Sequence, residues 1–144
     1  ADTPAEVLDA ATPSRPQAVA AGDGLRCGVL GMAHRRLAIV DLSPHGHQPM
    51  RRGDLYAVFN GEIYDHVERR AELEALGHRF VSASDTEVLL AAFAHWGTGA
   101  FGRLNGMWAA AIFDARRRTL TLARDRFGVK PLYWWQGGGG EWAM

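Results

Sequence analysis

Three adjacent residues, Asn60, Gly61 and Glu62, are the part of this sequence best equipped for chemistry. They follow the apolar residues 57–59, so they should lie at the end of a strand. Asn60 supplies a carboxamide and Glu62 a carboxylate, while the glycine between them lets a backbone N–H face a ligand without obstruction by a Cβ atom. The pattern therefore predicts a site for an oxyanion and an amine.

The same residues have a simpler interpretation, because Asn-Gly is also the strongest two-residue signal for a β-hairpin. A hairpin requires a second strand directly after the turn. Residues 64–76 instead place Val67, Ala71 and Leu76 at helical intervals among charged residues. We therefore expect a strand followed by a helix whose apolar positions are these three residues.

Arg36 is the cation best placed to contact an anionic ligand. It precedes the apolar residues 37–40, and a guanidinium at the edge of a core strand can bind a planar anion through two hydrogen bonds. An ion pair with the neighbouring Asp41 is the alternative, and spacing alone does not decide between the two.

The segment from Ser84 to Glu87 matches a capping box, in which Ser84 accepts from the N–H of Glu87 while Glu87 reaches back. A helix should begin here and end at Gly97. Its apolar stripe should contain Val88, Leu89, Ala92, Phe93 and Trp96. Asp85 lies in the first helical turn, where the helix dipole alone favours an acid by roughly 0.3–1 kcal/mol. Its position therefore does not by itself indicate a function.

The histidines and the cysteine predict neither a metal site nor a disulfide. His45 and His47 have no second cluster at ligand spacing, so we expect no bound metal. Cys27 is the single cysteine and cannot form an internal disulfide. Without a signal peptide or a membrane-spanning apolar run, a cytoplasmic location is expected.

The composition favours one globular domain over residues 1–144. The chain has 144 residues, of which 47% are hydrophobic, enough for one packed core. Sixteen basic and sixteen acidic residues cancel, so no general attraction to nucleic acid or to an anionic membrane is expected.

The remaining segments predict a layered α+β domain. Residues 107–113 form an uninterrupted apolar run, which is typical of a strand covered on both faces. Together with the neighbouring strands and helices, this run indicates two stacked sheets with helices outside. The other expected elements are a helix at 4–11, a loop at 12–24, one bent or two short strands at 28–41, a strand at 79–81, a return strand at 119–122, a charged corner at 124–130 and a hairpin of 131–136 with 141–144.

Several of these motifs together resemble one protein family. The residues that carry the resemblance are 34–44 (HRRLAIVDLSP), 46–49 (GHQP), 59–64 (FNGEIY), 84–87 (SDTE) and 123–133 (ARDRFGVKPLY). Their order and spacing are similar to those of the glutaminase domain of glutamine-hydrolysing asparagine synthetases. The resemblance implies a class II glutamine amidotransferase domain with the N-terminal-nucleophile hydrolase fold. That fold is a four-layer αββα sandwich, here expected to lack the first, nucleophile-bearing strand and to be incomplete at both ends.

The resemblance also implies a role for each site residue. Arg36 would hold the α-carboxylate of glutamine, and Glu62 and Asp85 would surround its α-ammonium group. The Asn60 side chain and the Gly61 N–H would form the oxyanion hole. No cofactor is implied for this domain, since ATP and magnesium would serve only a C-terminal synthetase domain absent from these residues. A homodimer is compatible with the resemblance.

The family's nucleophile has no counterpart at Ala1. In the family it is an N-terminal cysteine, whose thiol attacks the glutamine amide while its own α-amino group acts as base. Cys27 and the two residues after it resemble the family's Cys-Gly-Ile opening. However, Cys27 lies only nine residues before Arg36, on the strand expected to lead into that motif. We therefore expect a buried structural thiol.

Two functions follow from the resemblance. The first is a glutaminase domain that hydrolyses glutamine to glutamate and supplies ammonia to an ATP-dependent synthetase domain. The second is a catalytically inactive scaffold, as in β-lactam-forming synthetases that retain the domain without its cysteine. The residues before Ala1 would distinguish them, so the sequence alone leaves enzymatic activity undecided.

Overall fold

The computed structural model describes residues 17–21, 28–34, 46–133, 135–136 and 142–143. The elements within these ranges are, in chain order, β1 (Gln17–Ala21), β2 (Gly28–Met32), β3 (Met50–Arg52), β4 (Leu55–Ile63), α1 (His66–Ala75), α2 (Asp85–Trp96), a 3₁₀ helix (Gly97–Ala100), β5 (Gly106–Asp114), β6 (Thr119–Arg124), β7 (Trp135–Gln136) and β8 (Trp142–Ala143). The strands pair as a central sheet and two separate hairpins.

Four antiparallel strands form the central sheet in the order β3-β4-β5-β6. Strand β5 runs through its middle, with Ala110 opposite Phe59 of β4 on one side and opposite Ala123 of β6 on the other. Residues 108–113 of β5 are all buried. This confirms the prediction of a strand covered on both faces.

The two faces of the central sheet pack against different layers. Side chains alternate along β4, so Ala57 and Phe59 point to one face, where they share a core with Leu89 of α2. Tyr56 points to the opposite face and packs with Met32 of β2. Strand β2 thus packs on the face opposite α2, and the predicted α+β class is confirmed.

Helix α1 confirms the helix predicted for residues 64–76, but the predicted apolar face is wrong. Val67 and Leu76 are 62% and 50% exposed, and Ala71 is exposed as well. The buried residue of the helix is Leu73. The side expected to face the core therefore faces solvent.

An arginine explains this orientation of α1. The Arg70 guanidinium donates to the Ser82 carbonyl oxygen at 2.6 Å and lies 4.7 Å from the centre of the Phe80 ring. It also pairs with Glu74 at 3.0 Å. A long arginine stem, which can cover apolar surface while its charged end is paired, takes the place of an apolar stripe.

Helix α2 begins and ends where predicted. Ser84 is its N-cap, and Gly97 follows its last residue with a positive φ of 57°. All residues from 85 to 92 are buried, so the single predicted stripe is too narrow for this half of the helix. The reason is that α2 contributes to two clusters, one on the central sheet and one with Leu73 of α1.

Other connecting segments differ from expectation. Strand β1 occupies part of residues 12–24, which were expected to be a loop, and it pairs with β2. Residues 79–81 form no strand, and the helix expected at 4–11 lies outside the described residues. The expected final hairpin is confirmed as the antiparallel pair β7 and β8.

Candidate functional site

The residues Asn60, Gly61 and Glu62 lie near the end of β4 and remain paired with β5. They stand opposite Ala109, Trp108 and Met107, respectively. The hairpin alternative is therefore wrong, because the strand continues through Gly61 to Ile63 instead of turning. By strand alternation, the Asn60 and Glu62 side chains belong to the same face as Tyr56, which is the face covered by β2. Asn60 is exposed and Glu62 is half-buried.

Gly61 is required by the close packing of β4 against β5. Its φ is +139°, and a Cβ atom built on it would overlap the Met107 carbonyl oxygen and lie 2.6 Å from Trp108 Cα. Any larger residue would therefore collide with the backbone of β5. The close approach of the two strands holds the Gly61 backbone in place.

Asp85 is buried beside the end of β4. Its Oδ2 atom accepts a hydrogen bond from the Ile63 N–H at 3.1 Å. Burial raises the pKa of Asp85 above its ordinary value; the Ile63 N–H and nearby His66 oppose this rise, whereas Glu62 adds to it. The structure thus brings Asp85 and Glu62 into electrostatic range, although Asp85 is also occupied in holding the strand.

The predicted capping box is wrong in its details. Ser84 Oγ accepts from the Thr86 N–H at 3.2 Å and not from Glu87. The Glu87 carboxylate does not reach back to Ser84. It accepts from the N–H groups of Val81 and Ser82 at 3.0 and 2.8 Å.

Arg52 of β3 completes the surroundings of the Glu87 carboxylate. The two side chains form a salt bridge of 3.2 Å. A buried carboxylate with a cation and several N–H donors has its charge compensated. This anchoring fixes the loop before α2 and so the position of Asp85 in the first turn.

Gln48, which belongs to the motif at residues 46–49, joins two elements beside the candidate site. Its Oε1 atom accepts from the Phe59 N–H at 2.5 Å, and its Nε2 atom lies 3.3 Å from Thr86 Oγ1. One side chain therefore joins β4, directly before Asn60, to the start of α2. Sequence spacing could not reveal this contact because its partners are far apart in the chain.

Asp125 is a buried side chain that also binds backbone groups of other segments, in this case beside β5. Its role was not predicted from the sequence. Its carboxylate accepts from the backbone N–H groups of Trp108, Phe127, Val129 and Lys130, at 3.0–3.1 Å. Burial raises its pKa, but these hydrogen bonds lower it by more, to about 2. The residue opposite Gly61 is thereby tied to the loop that follows β6.

The predicted site residue Arg36 and three residues considered beside it lie outside the described part of the chain. These are Arg36, its alternative partner Asp41, Cys27 and His45. His47 is described and exposed. Among the described residues, no group of three or more His, Cys, Asp or Glu is arranged to hold a metal ion. The described helices include none that is long and apolar enough to cross a membrane.

Comparison with known proteins supports the family resemblance carried by the sequence motifs. Residues 23–143 match the family described as "Glutamine amidotransferase domain". The chain is 46% identical over 105 residues to glutamine-hydrolyzing asparagine synthetase 3 of Bacillus subtilis (strain 168), covering 70% of this chain and 17% of that protein. It is 42% identical over 107 residues to Amidase chry2 of Gibberella zeae, covering 73% of this chain and 16% of that protein.

A solved structure shares the fold. It is glutamine phosphoribosylpyrophosphate amidotransferase from B. subtilis in complex with ADP and GMP, with a TM-score of 0.51 and 21% identity over 67% of this chain and 23% of that chain. The chain spans less than a quarter of the length of these relatives. On the strength of the family match and the sequence identities, this chain belongs to the glutamine amidotransferase domain family.

Proposed function

We propose that this domain binds L-glutamine at the end of β4. The observation that carries the proposal is the juxtaposition of Asn60, Gly61 and Glu62 with Asp85, whose carboxylate bonds to the same strand end. Glu62 and Asp85 supply negative charge for the α-ammonium group of an amino acid. Asn60 and the Gly61 N–H supply donors for a carbonyl oxygen that becomes negatively charged. Arg36 supplies the cation for the α-carboxylate.

The reaction that this site supports is hydrolysis of the glutamine amide. The α-amino group of the nucleophilic cysteine takes the thiol proton, the thiolate attacks the amide carbon, and the carbonyl oxygen becomes an oxyanion held by the two donors. The same proton is then given to the amide nitrogen, which leaves as ammonia while the carbonyl re-forms and a thioester remains. Water then hydrolyses the thioester to release glutamate. The thiol must come from outside residues 1–144 or from Cys27. We infer the former, because the nitrogen of Cys27 is joined to Arg26 in a peptide bond and cannot serve as the α-amino base.

The relatives suggest the wider setting of this reaction. Two of the similar proteins are a glutamine-hydrolyzing asparagine synthetase and a glutamine amidotransferase. We propose that ammonia released here serves a synthetase domain that uses ATP and magnesium, in a cytoplasmic protein. We also propose that the layers described here belong to a four-layer αββα sandwich of the N-terminal-nucleophile hydrolase type.

Calorimetric titration of the chain with L-glutamine tests the binding proposal. L-glutamine should bind, and the analogue without the α-amino group should bind about 10- to 100-fold more weakly, since it loses charged hydrogen bonds. Glu62→Gln should reduce the affinity for L-glutamine but not for the analogue. Glu68→Gln, which changes an exposed acid on α1, is the matched control and should leave both affinities unchanged.

Two outcomes would count against parts of this proposal. Equal affinity for glutamine and the analogue would show that Glu62 and Asp85 do not bind the α-ammonium group. Absence of binding in the parent chain, with the fold intact by circular dichroism, would reject glutamine binding and favour an inactive scaffold.

A further inference from the structure

His66, the first residue of α1, contacts the strand end that carries the candidate site. Its Nδ1 atom lies 2.8 Å from the carbonyl oxygen of Ile63. A carbonyl oxygen only accepts hydrogen bonds, so Nδ1 must carry the proton and donate. The contact therefore defines which ring nitrogen is protonated.

Ile63 is held at two consecutive peptide groups. Its N–H, which belongs to the peptide plane shared with Glu62, donates to Asp85 Oδ2 at 3.1 Å. Its carbonyl, which belongs to the next peptide plane, accepts from His66. His66 and Asp85, the first residues of α1 and α2, thus both form a hydrogen bond with Ile63 of β4. The Ile63 side chain itself is fully buried.

The strand end needs such contacts because glycines occupy both facing strands. Gly61 stands on β4, and Gly106 of β5 stands opposite Ile63. Glycine restricts its own dihedral angles less than any other residue, so neighbouring contacts must supply the restriction. Asp65, which precedes His66, adds another contact by accepting from the Asn105 N–H at 2.9 Å.

We propose that His66 is a positioning residue for the glutamine site. Through the Ile63 carbonyl it holds the peptide that follows Ile63, while Asp85 holds the adjacent peptide that follows Glu62. Together these two contacts restrict the direction of the Glu62 carboxylate and of the Gly61 N–H. This inference rests on the proposed function of the strand end in binding glutamine. His66 acts through Ile63, so removal of its side-chain donor should make the site less rigid and thereby weaken glutamine binding.

Two substitutions separate this role from packing. His66→Asn keeps a donor, because the asparagine Nδ2 atom is as many bonds from Cβ as the imidazole Nδ1 atom is. His66→Leu keeps an apolar side chain and removes the donor. Val67→Ala, a change at an exposed neighbour, is the control.

The affinity for L-glutamine is the first readout. His66→Leu should weaken binding about 3- to 10-fold, as expected for the loss of one hydrogen bond, and His66→Asn should restore it to within about twofold of the parent. Equal loss in both variants, or parental affinity in His66→Leu, would overturn the proposal.

The second readout needs no ligand and separates failure of this inference from failure of glutamine binding. Nitrogen NMR of the unliganded chain should show a protonated Nδ1 in His66, and the Gly61 and Ile63 amides should exchange faster in His66→Leu but not in His66→Asn. An unprotonated Nδ1, or equal exchange in all variants, would refute the positioning role even if glutamine binds. If the parent binds no glutamine, the proposed function fails and the positioning role for glutamine fails with it, whatever the exchange rates show.

Discussion

Replacing Gly61 with alanine should destabilise the domain more than the same change at Gly53 or Gly99, where no atom lies within 4 Å of an added Cβ. Alanine would have to adopt a φ of +139°, and its Cβ would lie 2.6 Å from Trp108 Cα and overlap the Met107 carbonyl oxygen. A residue in so sparsely populated a conformation costs about 1–3 kcal/mol. Forcing backbone apart in a packed core costs about 1–3 kcal/mol more. The free energy of unfolding should therefore fall by about 2–6 kcal/mol.

Two other glycines serve as comparisons for Gly61→Ala, because neither has an atom near the position of an added Cβ. Gly53 has a φ of +60°, and no atom lies within 4 Å of the position that a Cβ would occupy, so Gly53→Ala should show the conformational cost alone. Gly99 has neither a positive φ nor a close neighbour, so Gly99→Ala should be neutral or slightly stabilising. The excess of Gly61→Ala over Gly53→Ala contains the close approach of β4 and β5 together with the greater conformational cost of φ +139° than of φ +60°.

Urea unfolding followed by circular dichroism provides the assay, with the three variants compared at equal m-values. The reasoning is refuted if Gly61→Ala costs no more than Gly53→Ala. That result would mean that β5 moves away without cost and that Gly61 is not held by its neighbour.

The remaining predictions concern buried polar groups. Trp108→Phe should lower the free energy of unfolding by less than about 1 kcal/mol or raise it, because the buried indole N–H has no acceptor among the described residues. Removing such a group, which costs about 1–3 kcal/mol, should offset the cavity that the smaller ring leaves. A larger loss in thermal unfolding would contradict this offset. Glu87→Gln should lower the free energy of unfolding by about 1.5–3 kcal/mol, measured by urea unfolding, because it breaks a charged network. Glu68→Gln, at an exposed position, should change it by less than about 0.5 kcal/mol. Equal effects of the two substitutions would contradict this prediction. Asp125 has a pKa of about 2, below the ordinary value of 3.8, so its stabilisation should be fully present above pH 3.8 and lost as the pH falls toward 2. In acid titrations Asp125→Asn should accordingly be less stable at pH 7 and lose less stability between pH 4 and pH 2 than the parent.

The sequence was most informative where local patterns decide structure. The apolar run of β5 and the start of α2 at Ser84 were predictable because hydrophobic periodicity and helix capping are local properties. The order Asn60, Gly61, Glu62 after an apolar run likewise predicted polar groups near a strand end.

Contacts between distant segments escaped prediction. Gln48 and Asp125 bind backbone groups of other segments, and no spacing rule identifies such partners. The orientation of α1 was mispredicted because Arg70, a charged residue, faces the protein through its paired guanidinium. Family motifs contained Gln48 and Asp125, but the motifs did not disclose what these side chains contact.

The central claim, that the end of β4 binds glutamine, is tested most directly by titrating the nitrogen-labelled chain with L-glutamine and following its amide resonances. We predict saturable shifts at Gly61, Glu62 and Asp85, with the distant Gly53 and Gly99 unchanged. Shifts confined to other parts of the chain, or no saturable shift at Gly61 in a folded sample, would contradict the claim.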